Sequence, residues 1–338
     1  MKLRFFPYEL KLKDEFTLSY GSRTNTPVIL LEIENNGIIG YGEASLPPYL
    51  LENQKSVINF LSKIKLDSFT DLNELDSILD YINNFITGNF AAKAALDIAL
   101  HDLTCKTLDI SLSEFLNIHS DKIVYTSFTI GISEPGKIEQ KIKSSSEFKI
   151  LKVKLGTNND REIINTIRCF TDKPLFIDVN QGWHDKYFAL EMINWLKEQN
   201  VILIEQPLPK ERLDDAIWLN EKSPLPIIAD EGVQISNDLE RIKDAYSGVN
   251  IKLMKAGGIR EAYRMIKKAK KLNLQIMLGC MTETSCAITV ASHLSPLADW
   301  VDLDGAALIS NDIFSGMKIV SGTIRIPKEP GIGVRKLP

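Results

Sequence analysis

Histidine and cysteine are scarce in this chain, with four of each among 338 residues. Cys105, Cys169, Cys280 and Cys286 form no CxxC pair and no zinc-ligand spacing. That pattern argues against a disulfide framework and for reduced thiols in a cytoplasm. Long apolar runs are missing too: no stretch reaches the roughly 18 residues a membrane span needs. The opening MKLRFFPYELKLKDE carries charge too often for a secretory h-region. Neither sign of charge dominates, since 40 Lys and Arg stand against 44 Asp and Glu for a net charge of -4. Nucleic acid and anionic membrane therefore have no electrostatic footing as partners. A phosphate cradle is also lacking, because KAGGIRE around Gly257-Gly258 fits neither a P-loop nor GxGxxG and reads as a turn after a strand. What remains is a soluble, cytoplasmic protein with 44% hydrophobic and 25% charged residues, whose expected partner is a small molecule and for which a homo-oligomer stays open.

Residues 1–121 read as an α+β domain. KLRFFPYELKL, PVILLEIENN and IIGYGEA form an antiparallel meander, with Asn35-Asn36-Gly37 as a hairpin signal. SVINFLSKIK, DLNELDSILDYINNF and AAKAALDIALHDLTCKTL follow with helical spacing. From residue 122 to 311 the pattern changes to apolar strand then amphipathic helix. Eight strand candidates appear: YTSFTIG, ILKVKL, LFIDVN, ILIEQP, IIADE, VNIKLM, IMLGCM and WVDLD. The markers Lys152, Asp178, Glu205, Asp230, Lys252, Gly279 and Asp302 recur every 22–27 residues, which fits one strand, one helix and two loops. The fold class is thus α/β, a (β/α)8-type TIM barrel behind an α+β capping domain. Residues 312–338, with strand-like alternation broken by Pro and Gly, are expected to return to the capping domain.

Groups that act on substrate in such a barrel lie at the C-terminal ends of the strands. Asp178, Glu205 and Asp230 end three successive strands. One such carboxylate alone is usually a helix cap, but three in consecutive units suit a hard dication with oxygen ligands, Mg2+ first and Mn2+ second. Lys152 and Lys154 in ILKVKL share one face of their strand. Lys252 arrives from the strand after the last carboxylate, so lysines flank the acidic group on both sides. Unpaired ammonium groups in a buried parallel strand are costly, which gives these lysines a reason to lie beside carboxylates. His101, His119, His184 and His293 fall outside the strand-end set, so no histidine chemistry is expected, and no base stands near Cys280 in the pattern to activate it.

Taken in order, KVK, DVNQGW, IEQPLP, ADEG, NIKLMKAGG, LGCMTETS and DLDG resemble the enolase superfamily, in its muconate lactonizing enzyme subgroup and nearest the dipeptide epimerases. The resemblance spans nearly the whole chain. It implies Asp178, Glu205 and Asp230 as ligands of one Mg2+ per subunit, with Lys154 and Lys252 as acid/base groups on opposite faces of the substrate. Lys255 is the competing lysine, and Lys152 is placed beside the substrate carboxylate, lowering the proton affinity of Lys154. Asp302 and Asp304 are matched to the free ammonium group of a dipeptide, Arg23 in the loop SYGSRTN to an acidic side chain, and Thr129 to a substrate contact. The implied reaction is epimerisation of L-Ala-Xaa dipeptides, L-Ala-D/L-Glu first, by two-lysine proton transfer through an enolate. o-Succinylbenzoate synthase and N-acylamino acid racemase are the enzyme alternatives, and a silent metal-dependent binding protein is the non-enzyme one.

Overall fold

The computed structural model describes residues 1–18, 21–48, 50–69, 71–133 and 135–338. β1 (Lys2–Leu18), β2 (Gly21–Asn35) and β3 (Ile38–Ser45) form an antiparallel sheet in that order. The turn between β2 and β3 holds Asn36 and Gly37 at φ 51° and 82°. Two successive left-handed residues give the hairpin turn whose twist matches the strands. The described part of SYGSRTN, residues 21–25, is strand and not the loop expected around Arg23. Backbone pairing resumes beyond an irregularity between Lys11 and Phe16, so Arg23 lies within β2 opposite Phe16. Ser19 and Tyr20 lie outside the described residues.

The sheet packs on the Phe90–Thr107 helix, which is buried at every position from Ala91 to Cys105. Its alanines let the backbones meet. A Cβ on Gly42 would lie 2.0 Å from the Ala95 carbonyl oxygen, and one on Gly40 2.1 Å from that of Ala99. Gly42→Ala is therefore expected to force the layers apart at a cost of about 1–3 kcal/mol. Differential scanning calorimetry should show a melting temperature several degrees lower, and an unchanged one would contradict this packing.

Eight parallel strands follow: β4 (Ser127–Ile130), β5 (Ile150–Lys154), β6 (Leu175–Asp178), β7 (Val201–Glu205), β8 (Ile227–Ala229), β9 (Gly248–Ile251), β10 (Gln275–Gly279) and β11 (Trp300–Asp302). They are hydrogen-bonded in chain order. Inside, Phe176, Leu203, Ile228 and Met277 form a fully buried plug. Helices follow seven of the strands, but β11 runs into a 3-10 turn, Gly305–Leu308, and no α-helix follows it among the described residues. The eighth unit is thus incomplete. Its chain turns back to the sheet, where Ile309 bridges to Leu12 and Tyr8 Oη donates to the Asn311 carbonyl at 2.9 Å. Further on, Lys336 Nζ meets Glu32 at 2.8 Å.

Carboxylates of the N-terminal sheet and of the helix packed on it cap barrel helices. Asp97 Oδ1 accepts the Ile259 N–H at 2.6 Å, and Glu43 Oε1 accepts the Thr284 N–H at 2.9 Å. Both satisfy orphan donors at helix N-termini, where the macrodipole favours an anion. No helix among the described residues is long and apolar enough to cross a membrane. All four cysteines are free thiols.

Candidate active site

Strand parity builds the site. Two residues beyond Phe176, Leu203 and Ile228 of the plug stand Asp178, Glu205 and Asp230, on the same inward face. Register then aligns them, Lys154 opposite Asp178 and Asp178 opposite Glu205. The three carboxylates offer ligand atoms all within 4.8 Å of one another, and all three are buried.

Lysines interleave with them. Lys152 Nζ lies 2.8 Å from Asp302, 2.7 Å from Glu205 and 3.1 Å from Asp178. Lys154 Nζ donates to Asp178 Oδ2 at 2.6 Å, and Lys252 Nζ to Asp230 Oδ2 at 2.7 Å. Lys154 ends β5 and Lys252 directly follows β9, four strands on in a ring of eight, so they approach from opposite walls. Lys255 is occupied differently: its Nζ donates to the backbone carbonyls of Asp230, Val233 and Asn250 as well as to the Asp230 carboxylate. A lysine fixed by three carbonyls is a strut for the loop after β8.

Burial and charge pull the acidic groups apart. Burial opposes ionisation of Asp178, but Lys154 and Lys152 outweigh it and hold the carboxyl down at about 2. Asp230 is likewise held well below the usual range, by Lys252 and Lys255 against burial. Glu205 goes the other way, pushed up to about 8 by burial and by the charge of Asp178. Its Oε2 is close to Lys152 Nζ but not in hydrogen-bond geometry, while Oε1 accepts from Asn250 Nδ2 at 2.7 Å. Lys152 is driven down by burial, but Asp302, Glu205 and Asp178 raise it well above the ordinary lysine range. It is therefore a fixed cation.

A cavity of about 350 Å³ opens over this group. Of the residues expected from sequence, Lys152, Lys154, Asp230, Lys252, Asp302, Asp304, Thr129 and Arg23 line it; Asp178 and Glu205 are fully buried beside it. Arg23 reaches it from β2, donating from Nη2 to Thr282 Oγ1 at 3.1 Å and stacking 5.1 Å from the Phe16 ring centre. Thr129 donates its N–H to Asp304 Oδ2 at 2.6 Å. Asp302 ends β11, but Asp304 lies past its end, so the two share a site and not a strand face. Burial and the charge of Asp302 push Asp304 up to about 7. The histidines stay out: His101 bonds the Asp97 carbonyl and His293 bonds Ser113 and Ile332.

Sequence reasoning passed over three polar residues here. Asn250 is two positions before Lys252, so parity alone marks it as inward. Gly279 makes room for it, since a Cβ there would lie 2.4 Å from Asn250 Oδ1. Asn180 has φ 46° and donates from Nδ2 to Glu231 Oε1 at 3.2 Å. Asn180 Oδ1 and Glu231 Oε2 are buried acceptors with no donor among the described residues. Clustered carboxylates bordered by such acceptors fit a hard dication bound through oxygen.

Fold and site together define a capped barrel enzyme with a buried acidic triad between lysines on facing walls. The chain belongs to the enolase superfamily: residues 137–336 match the enolase C-terminal domain-like family, and residues 2–117 match the mandelate racemase / muconate lactonizing enzyme N-terminal domain. It is 51% identical over 338 residues to the L-Ala-D/L-Glu epimerase of Bacteroides thetaiotaomicron, covering 100% of this chain and 88% of that protein. The substrate-liganded L-Ala-D/L-Glu epimerase of Bacillus subtilis superimposes with a TM-score of 0.92 at 26% identity, covering 99% of this chain and 98% of that one. The dipeptide epimerase of Cytophaga hutchinsonii, complexed with Mg and D-Ala-L-Val, gives 0.91 at 28% identity, with coverage of 99% and 95%. With relatives of this kind the chain is an isomerase, of the racemase and epimerase type.

Proposed function

We propose that this protein is a dipeptide epimerase that inverts the α-carbon of the second residue of L-Ala-Xaa dipeptides, with L-Ala-D/L-Glu the leading substrate. The observation that carries the reading is the placement of Lys154 and Lys252 on opposite walls of one cavity, each bonded to a different carboxylate of the triad. Inversion requires removal of a proton from one face and its return on the other. Lys154 and Lys252 are the two groups positioned for this, each switching between base and acid according to the epimer bound.

Asp178, Glu205 and Asp230 would hold Mg2+, which when bound supplies positive charge for the substrate carboxylate as the α-proton leaves. Lys152, kept cationic by its three carboxylate neighbours, is placed to stabilise that developing charge more than the ground state. Thr129 and the Asp302/Asp304 pair line the same cavity, and we assign the two acids to the free ammonium group. Arg23 sits where an acidic side chain would meet a guanidinium held by Phe16 and Thr282. We read the chain as divided at 121/122 and 311/312, the first part closing the mouth of the second.

Proton exchange in D2O across a dipeptide library, read by mass spectrometry, tests the assignment. Deuterium uptake at the second α-carbon is expected for L-Ala-Xaa, and uptake with no free-amine dipeptide would overturn it. Within that screen, Arg23→Ala should raise KM for L-Ala-L-Glu about 10- to 100-fold, the worth of a charged hydrogen bond. L-Ala-L-Leu should be little changed. Equal losses for both would make Arg23 a structural residue.

A further inference from the structure

The ladder runs unbroken from β4 to β11, but none of its backbone pairs joins β11 back to β4 among the described residues. Side chains bridge this seam. Leu303 N–H donates to Thr126 Oγ1 at 2.8 Å, Ser127 Oγ to Asp302 Oδ1 at 2.6 Å, and Thr129 N–H to Asp304 Oδ2 at 2.6 Å. Two of the three bonds end on the acids matched to the ammonium group. Those acids are not equivalent. Asp302 has both oxygens engaged by the protein, Oδ1 by Ser127 and Oδ2 by Lys152 at 2.8 Å. Asp304 is held on Oδ2 by Thr129 and lines the cavity with no hydrogen bond or ion pair to an ammonium group among the described residues.

We propose that Ser127 and Asp302 form a positioning relay: Ser127 fixes Asp302, and Asp302 neutralises Lys152 so that the charge of Asp178 and Glu205 stays available to a dication, while Asp304, held by the protein on Oδ2 only, faces the substrate ammonium group and has no part in the metal site. The physical reason is competition. Lys152 already lies within 3.1 Å of two triad carboxylates. Stripped of Asp302, its charge turns wholly upon them and opposes the cation. Partners that act behind the ligands of a metal typically change its affinity 10- to 100-fold when removed. The second half of this inference rests on the dipeptide reading; the first does not.

The test is calorimetric titration of the purified full chain with Mg2+ alone, joined to kinetics. Ser127→Ala and Asp302→Asn should each weaken Mg2+ binding about 10-fold or more, and Ser127→Thr, which keeps the hydroxyl, should restore it. Asp304→Asn should bind Mg2+ within twofold of the parent, yet raise KM for L-Ala-L-Glu at least 10-fold and lose the preference for that dipeptide over its N-acetyl derivative. Parent-like Mg2+ affinity in both Ser127→Ala and Asp302→Asn would overturn the relay. Equal Mg2+ losses in Asp302→Asn and Asp304→Asn would overturn the division of labour. Should the parent exchange the α-proton of no dipeptide, the Asp304 assignment falls with the proposed function, and the Mg2+ titration still decides the Ser127 relay.

Discussion

Lys252→Ala is expected to stop interconversion of L-Ala-L-Glu and L-Ala-D-Glu in both directions, with kcat reduced by about 10³-fold or more, within the range that a positioned acid/base group supplies. The same variant should still exchange the α-proton of one epimer with solvent deuterium. Lys154 stays in place on β5, bonded to Asp178, and an amine on one wall of the barrel reaches only the hydrogen that faces it. By the superfamily pattern, in which the lysine on the second strand faces the S-configured centre, the exchanging epimer is L-Ala-L-Glu. Lys154→Ala should give the mirror result, with exchange confined to L-Ala-D-Glu. Proton NMR in D2O reads both variants. Lys255→Ala serves as the control, because Lys255 is committed to three backbone carbonyls. If Lys252→Ala interconverts the epimers at the parent rate while Lys255→Ala is dead, the second acid/base group is Lys255.

The triad carries the other large effect. Glu205→Gln is the cleanest probe, since the amide oxygen can still accept from Asn250 Nδ2 and side-chain volume is conserved. Lys152, close to Glu205, keeps Asp302 and Asp178, whereas Asp178 and Asp230 each accept a hydrogen bond from a lysine, and neutralising either takes away the charge to which that buried ammonium group is bonded. Glu205→Gln should abolish turnover and weaken Mg2+ binding beyond the ~10- to 100-fold that outlying partners cost. Its circular dichroism should match the parent. Asp178→Asn and Asp230→Asn should be inactive as well, with a lower melting temperature added. Chelation with EDTA should silence the parent enzyme and added Mg2+ should restore it. Full activity in EDTA would sink the metal role.

Much of this site was legible because barrel strands count in twos. The plug residues Phe176, Leu203 and Ile228 fix which face is inward, and Asp178, Glu205 and Asp230 repeat that face one step nearer the strand end. The 22–27-residue recurrence supplied the rest of the barrel. What parity does not reveal is the partner a side chain finds across the lumen. Nothing in ILKVKL says that Lys152 will bond Asp302, 150 residues away, nor that Lys255 will spend its donors on backbone carbonyls. Arg23 was misplaced in a loop because its polar neighbours carry no alternation; backbone pairing with Phe16 extends the strand regardless. The eighth helix was expected from the repeat, but the repeat ends with β11.

The side-chain seam also bears on when the site comes into being. Ser127 and Asp302 are 175 residues apart in sequence, and their bond closes a loop containing almost the entire barrel. Such a contact is among the last a chain makes, because its closure entropy is unrewarded until the intervening strands have paired. Synthesis proceeds from the N-terminus, so all three acidic residues and both opposed lysines emerge from the ribosome before residue 302 does. On the proposed reading, the acidic triad and both lysines are in hand before residues 302 and 304 exist, so the acids assigned to the ammonium group are the last part of the site to arrive.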